Sequence, residues 1–281
     1  MSFTITLADA SLQFPEFKFV KPLTPSAQKA AFHVQDTDGN DLCLKIISPN
    51  YGMDRLDREI QAMQAVSHCN VVSMLEYTYS SRPGSHRHFL VEEFIDGCDL
   101  TDHMGSPWDT QRAASVFGQL LDGLSALTKI RVVHRDIKPS NVRIRPNDSP
   151  VLIDFGLARH LNLSDLTDTV AGAQIGTATY FSPEQFTGNK YDIDNRTDLF
   201  AVGIMLLEAL IGRHPFWTTG MTRAQLQNAV CEATDYENAN EFQKLSKGWK
   251  ILLRRLLAKD RAKRPHNAAQ AASIIRKIEG I

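Results

Sequence analysis

The chain has 281 residues, of which 43% are apolar and 22% are charged, as in ordinary globular proteins. Its formal net charge of -1 gives no reason to expect nucleic acid or a membrane surface as a partner. Four cysteines without paired Cys-x-x-Cys spacing argue against a zinc site and favour reduced thiols. The N-terminus lacks the pattern of a signal peptide, and the longest apolar run, residues 199–212, is too short to cross a bilayer. These features predict a cytoplasmic protein without a membrane segment, built as one large domain or two closely joined subdomains.

The first hundred residues have the pattern of short strands and turns. Apolar and charged residues alternate over residues 14–20, and the polar stretch 36–40 is typical of a hairpin turn that joins a strand at 30–35 with one at 41–47. Another apolar strand, residues 88–95, ends at an Asp-Gly turn.

A single helix is predicted in this half, over residues 54–66, and a carboxylate lies on its apolar face. Glu59 falls inside that face instead of opposite it, and a buried carboxylate needs a cationic partner. The candidate is Lys45, which interrupts an otherwise apolar strand. Two interpretations stay open: an ion pair, or a lysine that reaches solvent beside a glutamate at the edge of the helix.

Beyond residue 96 the pattern becomes helical. Amphipathic or buried helices are predicted over 110–127, 198–211, 223–231, 248–257 and 267–278. We therefore predict an α+β fold with a β-rich part over residues 1–96 and a helical part over residues 97–281.

A polar octapeptide, residues 134–141, lies between apolar segments. Downstream, the apolar strand 151–153 ends at Asp154, which Phe155 and Gly156 follow. Two carboxylates, an amide and a lysine are therefore carried by loops next to buried helices and strands. Metal–phosphate sites are usually assembled in this way.

Taken in order and spacing, these segments resemble the eukaryotic-type Ser/Thr protein kinases, and are most similar to the bacterial Ser/Thr kinase catalytic domains. The resemblance implies one kinase domain over residues 1–281, bilobal, with a small antiparallel β lobe carrying one helix and a larger, mainly helical lobe. The similar segments are the catalytic loop at 134–141, the metal-binding triplet at 154–156, the strand at 43–45 with its ATP lysine, the end of the activation segment at 176–184, Asp198 with Gly203 in a central helix, and Arg264 as the partner of Glu184.

The resemblance also implies a role for each polar residue of the loop. Asp136 would orient the substrate hydroxyl or accept its proton, and Lys138 would stabilise the transferring γ-phosphate, as in Ser/Thr-specific kinases. Asn141 and Asp154 would hold Mg²⁺ through hard oxygen ligands.

For ATP, the resemblance implies that Lys45 binds the α- and β-phosphates and is fixed by Glu59, which favours the ion-pair interpretation. Further residues would line the nucleotide pocket by the same resemblance: Leu23, Ala31, Cys43, Glu93, Ile95 and Arg143.

The glycine-rich loop of the family is missing, because the corresponding residues 23–31 contain no glycine. Lys29 in this segment could contact phosphate with its side chain or be solvated. Glu92 replaces the usual apolar gatekeeper, and Arg143 replaces the apolar residue under the adenine. These two residues could pair with each other or contact an unusual nucleotide, and Arg143 could instead point to solvent.

Arg135 beside Asp136 implies control by phosphorylation of the activation segment, since that arginine needs an anion. The pair Thr167 and Thr169 resembles the autophosphorylated pair of bacterial kinases, whereas an ordinary solvated loop is the alternative. Thr177 is the expected substrate-docking residue, and a protein substrate and self-association for phosphorylation in trans are the expected partners. Further candidate phosphorylation sites in this segment are Ser164, Thr177 and Thr179.

Three functions are compatible with this pattern. An active Ser/Thr kinase is favoured because every catalytic charge is retained. A pseudokinase or regulatory scaffold with weak nucleotide binding is the alternative that the missing glycines suggest. A small-molecule kinase is disfavoured, because residues 176–184 resemble a peptide-docking surface.

Overall fold

The computed structural model describes residues 3–26, 28–80, 87–155, 159–160, 178–188 and 190–281. The chain forms two compact units. The first unit comprises Met1–Ser67 with Val72–Asp96, and the second comprises His68–Val71 with Gly97–Ile281.

The first unit is a five-stranded antiparallel sheet with two helices. Its elements are α1 (Leu7–Gln13), β1 (Lys18–Pro22), β2 (Lys29–Gln35), β3 (Asp41–Ile47), α2 (Met53–Ala65), β4 (Met74–Ser80) and β5 (Arg87–Glu93). The strand order is β1-β2-β3-β5-β4. The hairpin between β2 and β3 is confirmed, and its turn is closed by Asp36, whose carboxylate accepts the backbone N–H of Asp38 at 2.9 Å and of Asn40 at 2.8 Å.

One face of this sheet is covered by α1, which the sequence did not predict. Ala10 and Phe14 are fully buried against apolar side chains of β2, β3 and β5, and the ring of Phe14 packs edge-on against Phe89 at 4.9 Å. The predicted strand over residues 14–20 was wrong at its beginning, since Phe14 caps α1 and β1 starts at Lys18. A helix of seven residues is too short to show a repeating apolar pattern.

The opposite face of the sheet packs against α2. Leu56 and Ile60 on the helix contact Ile47 of β3 and Leu90 of β5. Because Lys29 is paired with Ile47, and Lys45 with Leu90, side-chain alternation directs both lysines to this same face. The register of β3 and β5 places Cys43 beside Glu92 there as well.

The second unit is mainly helical. Its elements are β6 (Cys98–Asp99), α3 (Thr110–Lys129), β7 (Val132–Val133), β8 (Val142–Ile144), β9 (Pro150–Leu152), β10 (Arg159–His160), α4 (Pro183–Thr187), α5 (Asn195–Ile211), α6 (Arg223–Glu232), α7 (Asn240–Lys244), α8 (Lys247–Leu256) and α9 (Ala268–Glu279), with short 3₁₀ turns between them. The five helices predicted from the sequence are present, with ends that differ by up to three residues. The predicted α+β class is confirmed.

Helix α5 is the centre of the second unit. Almost all of its residues are buried, so it lacks an exposed polar face. Asp194 caps its first turn by accepting the N–H of Arg196 at 2.8 Å, and Gly212 ends it in a left-handed conformation. Among the residues that the structure describes, no helix has both the length and the apolar character needed to cross a bilayer.

Candidate active site

The polar octapeptide connects β7 with β8 and is anchored from below by α5. Both carboxylate oxygens of Asp198 accept backbone hydrogen bonds, from His134 and from Arg135, each at 2.8 Å. Arg135 has a left-handed backbone with φ of 66°, which this double anchor helps to maintain. Burial raises the pKa of Asp198 to about 7, while the two N–H donors act in the opposite direction.

His134 packs the octapeptide against Phe155, the residue that follows Asp154. Its side chain is fully buried, and its ring lies 5.3 Å from the ring of Phe155 between centroids. The backbone N–H of Asp136 donates to its Nδ1 at 3.3 Å. Burial lowers the pKa of His134 to about 4, so the imidazole is neutral at pH 7 and serves as a packing and hydrogen-bonding group.

Asp136 is the centre of a small polar cluster. Its Oδ2 accepts Nζ of Lys138 at 2.8 Å and Nδ2 of Asn141 at 3.0 Å. The same amide also donates to the backbone oxygen of Asp136 at 2.8 Å. Burial raises the pKa of Asp136, and the ammonium of Lys138 opposes this change. The carboxylate is therefore held in one orientation by two side chains of its own loop.

The hairpin of β8 and β9 brings Asn141 close to the residues that precede Asp154. Val142 pairs with Leu152, and the N–H of Ile153 donates to the backbone oxygen of Asn141 at 3.0 Å. Asp154 is near enough to Asp136 that its charge raises the pKa of that carboxyl group.

The oxygen atoms at this end of the hairpin suit Mg²⁺. Because Nδ2 of Asn141 donates to Asp136, the remaining amide oxygen is the atom that can face a cation, and Asp154 adds a carboxylate. Within the described part of the chain, no three His, Cys, Asp or Glu side chains converge as a metal site. A magnesium ion here would therefore need further ligands from phosphate groups or water, as is usual for Mg²⁺.

The predicted pair of Glu184 and Arg264 is confirmed in the second unit. Nη1 of Arg264 lies 2.6 Å from Oε1, and Nη2 lies 2.9 Å from Oε2, in a bidentate arrangement. Thr197 also donates to Oε1, at 2.9 Å. Burial raises the pKa of Glu184, but the hydrogen bond and charge of Arg264 outweigh it, and the net shift is downward. This pair fixes α4 against the turn that precedes α9.

The segment of α4 is also tied to the polar octapeptide. Gln185 donates from its side chain to the backbone oxygen of Arg135 at 2.9 Å, and its Oε1 accepts the N–H of Ser182. The loop that carries Asp136 is therefore held on one side by α5 and on the other by α4.

In the first unit, the ion pairs differ from the prediction. Glu59 binds Nζ of Lys29 through Oε1 and accepts the hydroxyl of Tyr51 at 2.9 Å through Oε2. Lys45, the expected partner of Glu59, instead lies 2.7 Å from the carboxylate of Glu92. The prediction that Glu59 needs a buried cation was correct, but the lysine that supplies it was wrong.

Two further expectations about these side chains also need correction. Lys29 is 4% exposed, so it is not a solvated loop residue. Arg143 donates to Asp99 at 3.0 Å and to the backbone oxygen of Gly97, which are both in the second unit with it. Glu92 therefore has Lys45 as a partner in its own unit, and Arg143 has Asp99.

The remaining predicted site residues are distributed between the units. Glu93 accepts the N–H of Ser73 at 2.8 Å, and Ile95 is buried. Cys43 is buried on the sheet face that packs against α2. Leu23, Ala31, Cys43, Glu93 and Ile95 belong to the first unit, whereas Asp136, Lys138, Asn141, Arg143 and Asp154 belong to the second. The expected phosphate carriers Ser164, Thr167 and Thr169, and the docking residue Thr177, lie outside the described residues.

Sequence reasoning missed the role of Tyr51 and the pairing of Lys29. Alternation in Lys29–Gln35 groups Lys29 with Ala31 and His33 on the more polar side of the strand, so the pattern carried no signal that Lys29 is buried.

An anchored loop with Asp, Lys and Asn, followed by a hairpin that ends at a second Asp, defines a phosphotransferase site of the protein-kinase type. The family model described as "Protein kinase domain" matches residues 30–274. The chain belongs to the protein kinase family.

The chain is similar to several curated bacterial serine/threonine-protein kinases. The chain is 32% identical over 183 residues to the serine/threonine-protein kinase PknB of Mycobacterium tuberculosis, covering 63% of this chain and 29% of that protein. It is 31% identical over 271 residues to the serine/threonine-protein kinase pkn2 of Myxococcus xanthus, covering 92% of this chain and 32% of that protein. The chain thus spans about a third of the length of these relatives.

Proposed function

We propose that this domain transfers the γ-phosphate of ATP to serine and threonine hydroxyls of protein substrates. The observation that supports the proposal is the cluster around Asp136, in which Lys138 and Asn141 hold one carboxylate in a fixed orientation next to Asp154. A carboxylate held in this way can orient a substrate hydroxyl and accept its proton.

Each residue of the cluster has a separate role in this proposal. Lys138 would face the transferring phosphoryl group, because its ammonium lies beside the acceptor carboxylate. Asn141 and Asp154 would hold Mg²⁺, which supplies positive charge to the phosphate oxygens. Asp198 would keep the loop backbone in place and would not touch the substrate.

ATP binding is a further part of the proposal, and Arg143 stays a prediction as one of the nucleotide-binding residues. Leu23, Ala31, Cys43, Glu93 and Ile95 stay predictions as pocket residues. The lobes predicted over 1–96 and 97–281 are proposed to correspond to the two units of one kinase domain, except for residues 68–71, which belong to the second unit. A cytoplasmic location fits this function, because ATP is available there.

Control by phosphorylation at Thr167 or Thr169 is also part of the proposal. Arg135 is fixed through its backbone by Asp198, so its guanidinium leaves the loop at a defined point. A phosphate on the activation segment would place a further anion within reach of an arginine beside Asp136. If phosphorylation occurs between two copies of the chain, the initial rate of autophosphorylation will rise more steeply than the protein concentration.

The proposal is tested by incubating the purified chain with labelled ATP, Mg²⁺ and a generic protein substrate. Asp136→Asn should lower the rate of incorporation by a factor of about 100 to 10,000, since it removes the proton acceptor and keeps the shape. Asp122→Asn is the matched control, because that carboxylate lies on α3 and pairs with Arg276 away from the loop. Incorporation that persists at full rate in Asp136→Asn contradicts the proposal, as does label found only on tyrosine.

A further inference from the structure

The face of the sheet that packs against α2 carries two buried ion pairs. One pair joins Lys29 of β2 to Glu59 of α2, and the other joins Lys45 of β3 to Glu92 of β5. The two pairs are close to each other, because the charges of Lys45, Lys29 and Glu59 all affect the pKa of Glu92. This face of the sheet therefore carries two buried lysines, and a kinase needs one lysine to bind the phosphates of ATP.

Lys29 has the surroundings of a positioned lysine. Its Nζ is bound by Glu59, whose second oxygen is fixed by the hydroxyl of Tyr51 at 2.9 Å. Nζ also lies 5.7 Å from the centre of the Tyr51 ring, within the range of a cation–π interaction. The side chains of Lys29 and Glu59 are only 5% and 1% exposed, so little solvent competes for the ammonium.

Lys45 is held in a different way. Its partner Glu92 is carried by the neighbouring strand β5, not by the helix, and is 2% exposed. Burial raises the pKa of Glu92, and the charge of Lys45 opposes this change more than any other group does. Lys45 therefore compensates a carboxylate that the sheet itself buries.

The loop that precedes Lys29 contains no glycine, so the usual glycine-rich approach of backbone to phosphate is missing. The N–H of Leu23 donates to the oxygen of Ala31 at 2.8 Å, and the N–H of Ser26 donates to the oxygen of Lys29 at 2.9 Å. These backbone donors are used inside the hairpin. A side-chain ammonium at the start of β2 can bind phosphate without these two donors.

We propose that Lys29, positioned by Glu59 and Tyr51, is the lysine that contacts the phosphates of ATP, and that Lys45 has the structural role of neutralising Glu92. This inference deepens the proposed function and depends on it for the identity of the nucleotide. The family resemblance gives phosphate binding to Lys45 on β3, whereas this inference gives it to Lys29 on β2.

The experiment uses an acyl phosphate derivative of ATP on the full chain. The amine of a lysine beside the phosphates attacks the acyl carbon, the bond from that carbon to the phosphate oxygen breaks, ATP leaves, an amide forms and a proton is released. An acylated lysine resists trypsin, so label on Lys29 gives a peptide over residues 19–45 and label on Lys45 gives one over residues 30–55. We expect label on Lys29 that excess ATP suppresses at least tenfold.

Two double variants serve as matched controls, each removing one complete ion pair so that no buried charge is left alone. Lys29→Met/Glu59→Gln should reduce ATP affinity at least tenfold, measured by quenching of a fluorescent ATP analogue. Lys45→Met/Glu92→Gln should keep the ATP-suppressed label on Lys29.

The outcomes separate this inference from the proposed function. ATP-suppressed label on Lys45 instead of Lys29, in a chain that transfers phosphate, overturns the assignment and leaves the kinase activity intact. Equal label on both lysines also overturns it. A chain that takes up no label and transfers no phosphate refutes both proposals.

Discussion

Replacing Arg264 with methionine should destabilise the second unit strongly. The side chain of Arg264 is fully buried, and that of Glu184 is 7% exposed. Besides the two bonds to Glu184, the guanidinium donates to the backbone oxygens of Ala258 at 2.9 Å and Arg196 at 3.0 Å. Arg264→Met leaves a buried carboxylate and these carbonyl groups without their donor. Removing one partner of such a pair costs about 3–5 kcal/mol.

The matched control is a second bidentate arginine pair in the same unit. Arg276 of α9 binds Asp122 of α3, but the two side chains are 39% and 35% exposed. Arg276→Met should therefore cost less than about 1 kcal/mol, because solvent screens the pair and hydrates both groups when it is broken.

Urea unfolding followed by tryptophan fluorescence measures both effects. The three tryptophans, at positions 108, 217 and 249, all belong to the second unit, so the signal reports on that unit. If Arg264→Met and Arg276→Met lower the free energy of unfolding by the same small amount, burial does not determine the strength of these pairs. The double variant Arg264→Met/Glu184→Gln should recover part of the loss, since no charge is then buried alone.

The stability of the second unit should also depend on pH and on one closely packed glycine. The pKa of Glu184 is lowered from its ordinary value of 4.5, so its pair with Arg264 stabilises the fold fully above pH 4.5 and loses this contribution as the pH falls through the lower, folded pKa. The difference in unfolding free energy between wild type and Glu184→Gln should therefore shrink below pH 4.5. A constant difference from pH 7 to pH 3 would contradict the shift. Gly97→Ala should lower the free energy of unfolding by more than about 2 kcal/mol in the same urea assay, because φ is 124° and a Cβ would lie 2.0 Å from the oxygen of Ile144. Gly220→Ala is the control, because its φ is 93° but a Cβ would meet open space, so only backbone strain of about 1 kcal/mol is expected. Equal losses would show that the contact with Ile144 is unimportant.

The helices of the second unit could be predicted because their patterns are long. Helix α3 has twenty residues, and α5 is apolar on all sides, so both exceed the length at which a strand could explain the pattern. The α+β class follows from the order of these elements. Helix α1 gave no such signal, since Ala10 is its only buried member and Phe14 follows its end.

The order of motifs identified the catalytic loop, because spacing along the chain preserves the sequence of a family's functional segments. The partners within the first unit could not be obtained in the same way. Alternation directs Lys29 and Lys45 to one face of the sheet, but it does not determine which ammonium meets the carboxylate of α2. That choice depends on where Glu59 lies over the sheet and on Glu92 as a competing partner.

The packing of α1 has a practical consequence for anyone who prepares this domain. The family match begins at residue 30, inside β2, and leaves out α1, β1 and Lys29. A chain trimmed to the matched residues would uncover Phe32 and Phe89 on one sheet face and turn β2 into an unprotected edge strand. Such a chain is expected to aggregate during expression, and it would lack the lysine that binds Glu59. Insoluble or inactive protein from that shortened chain would reflect the choice of its first residue and would carry no information about catalysis.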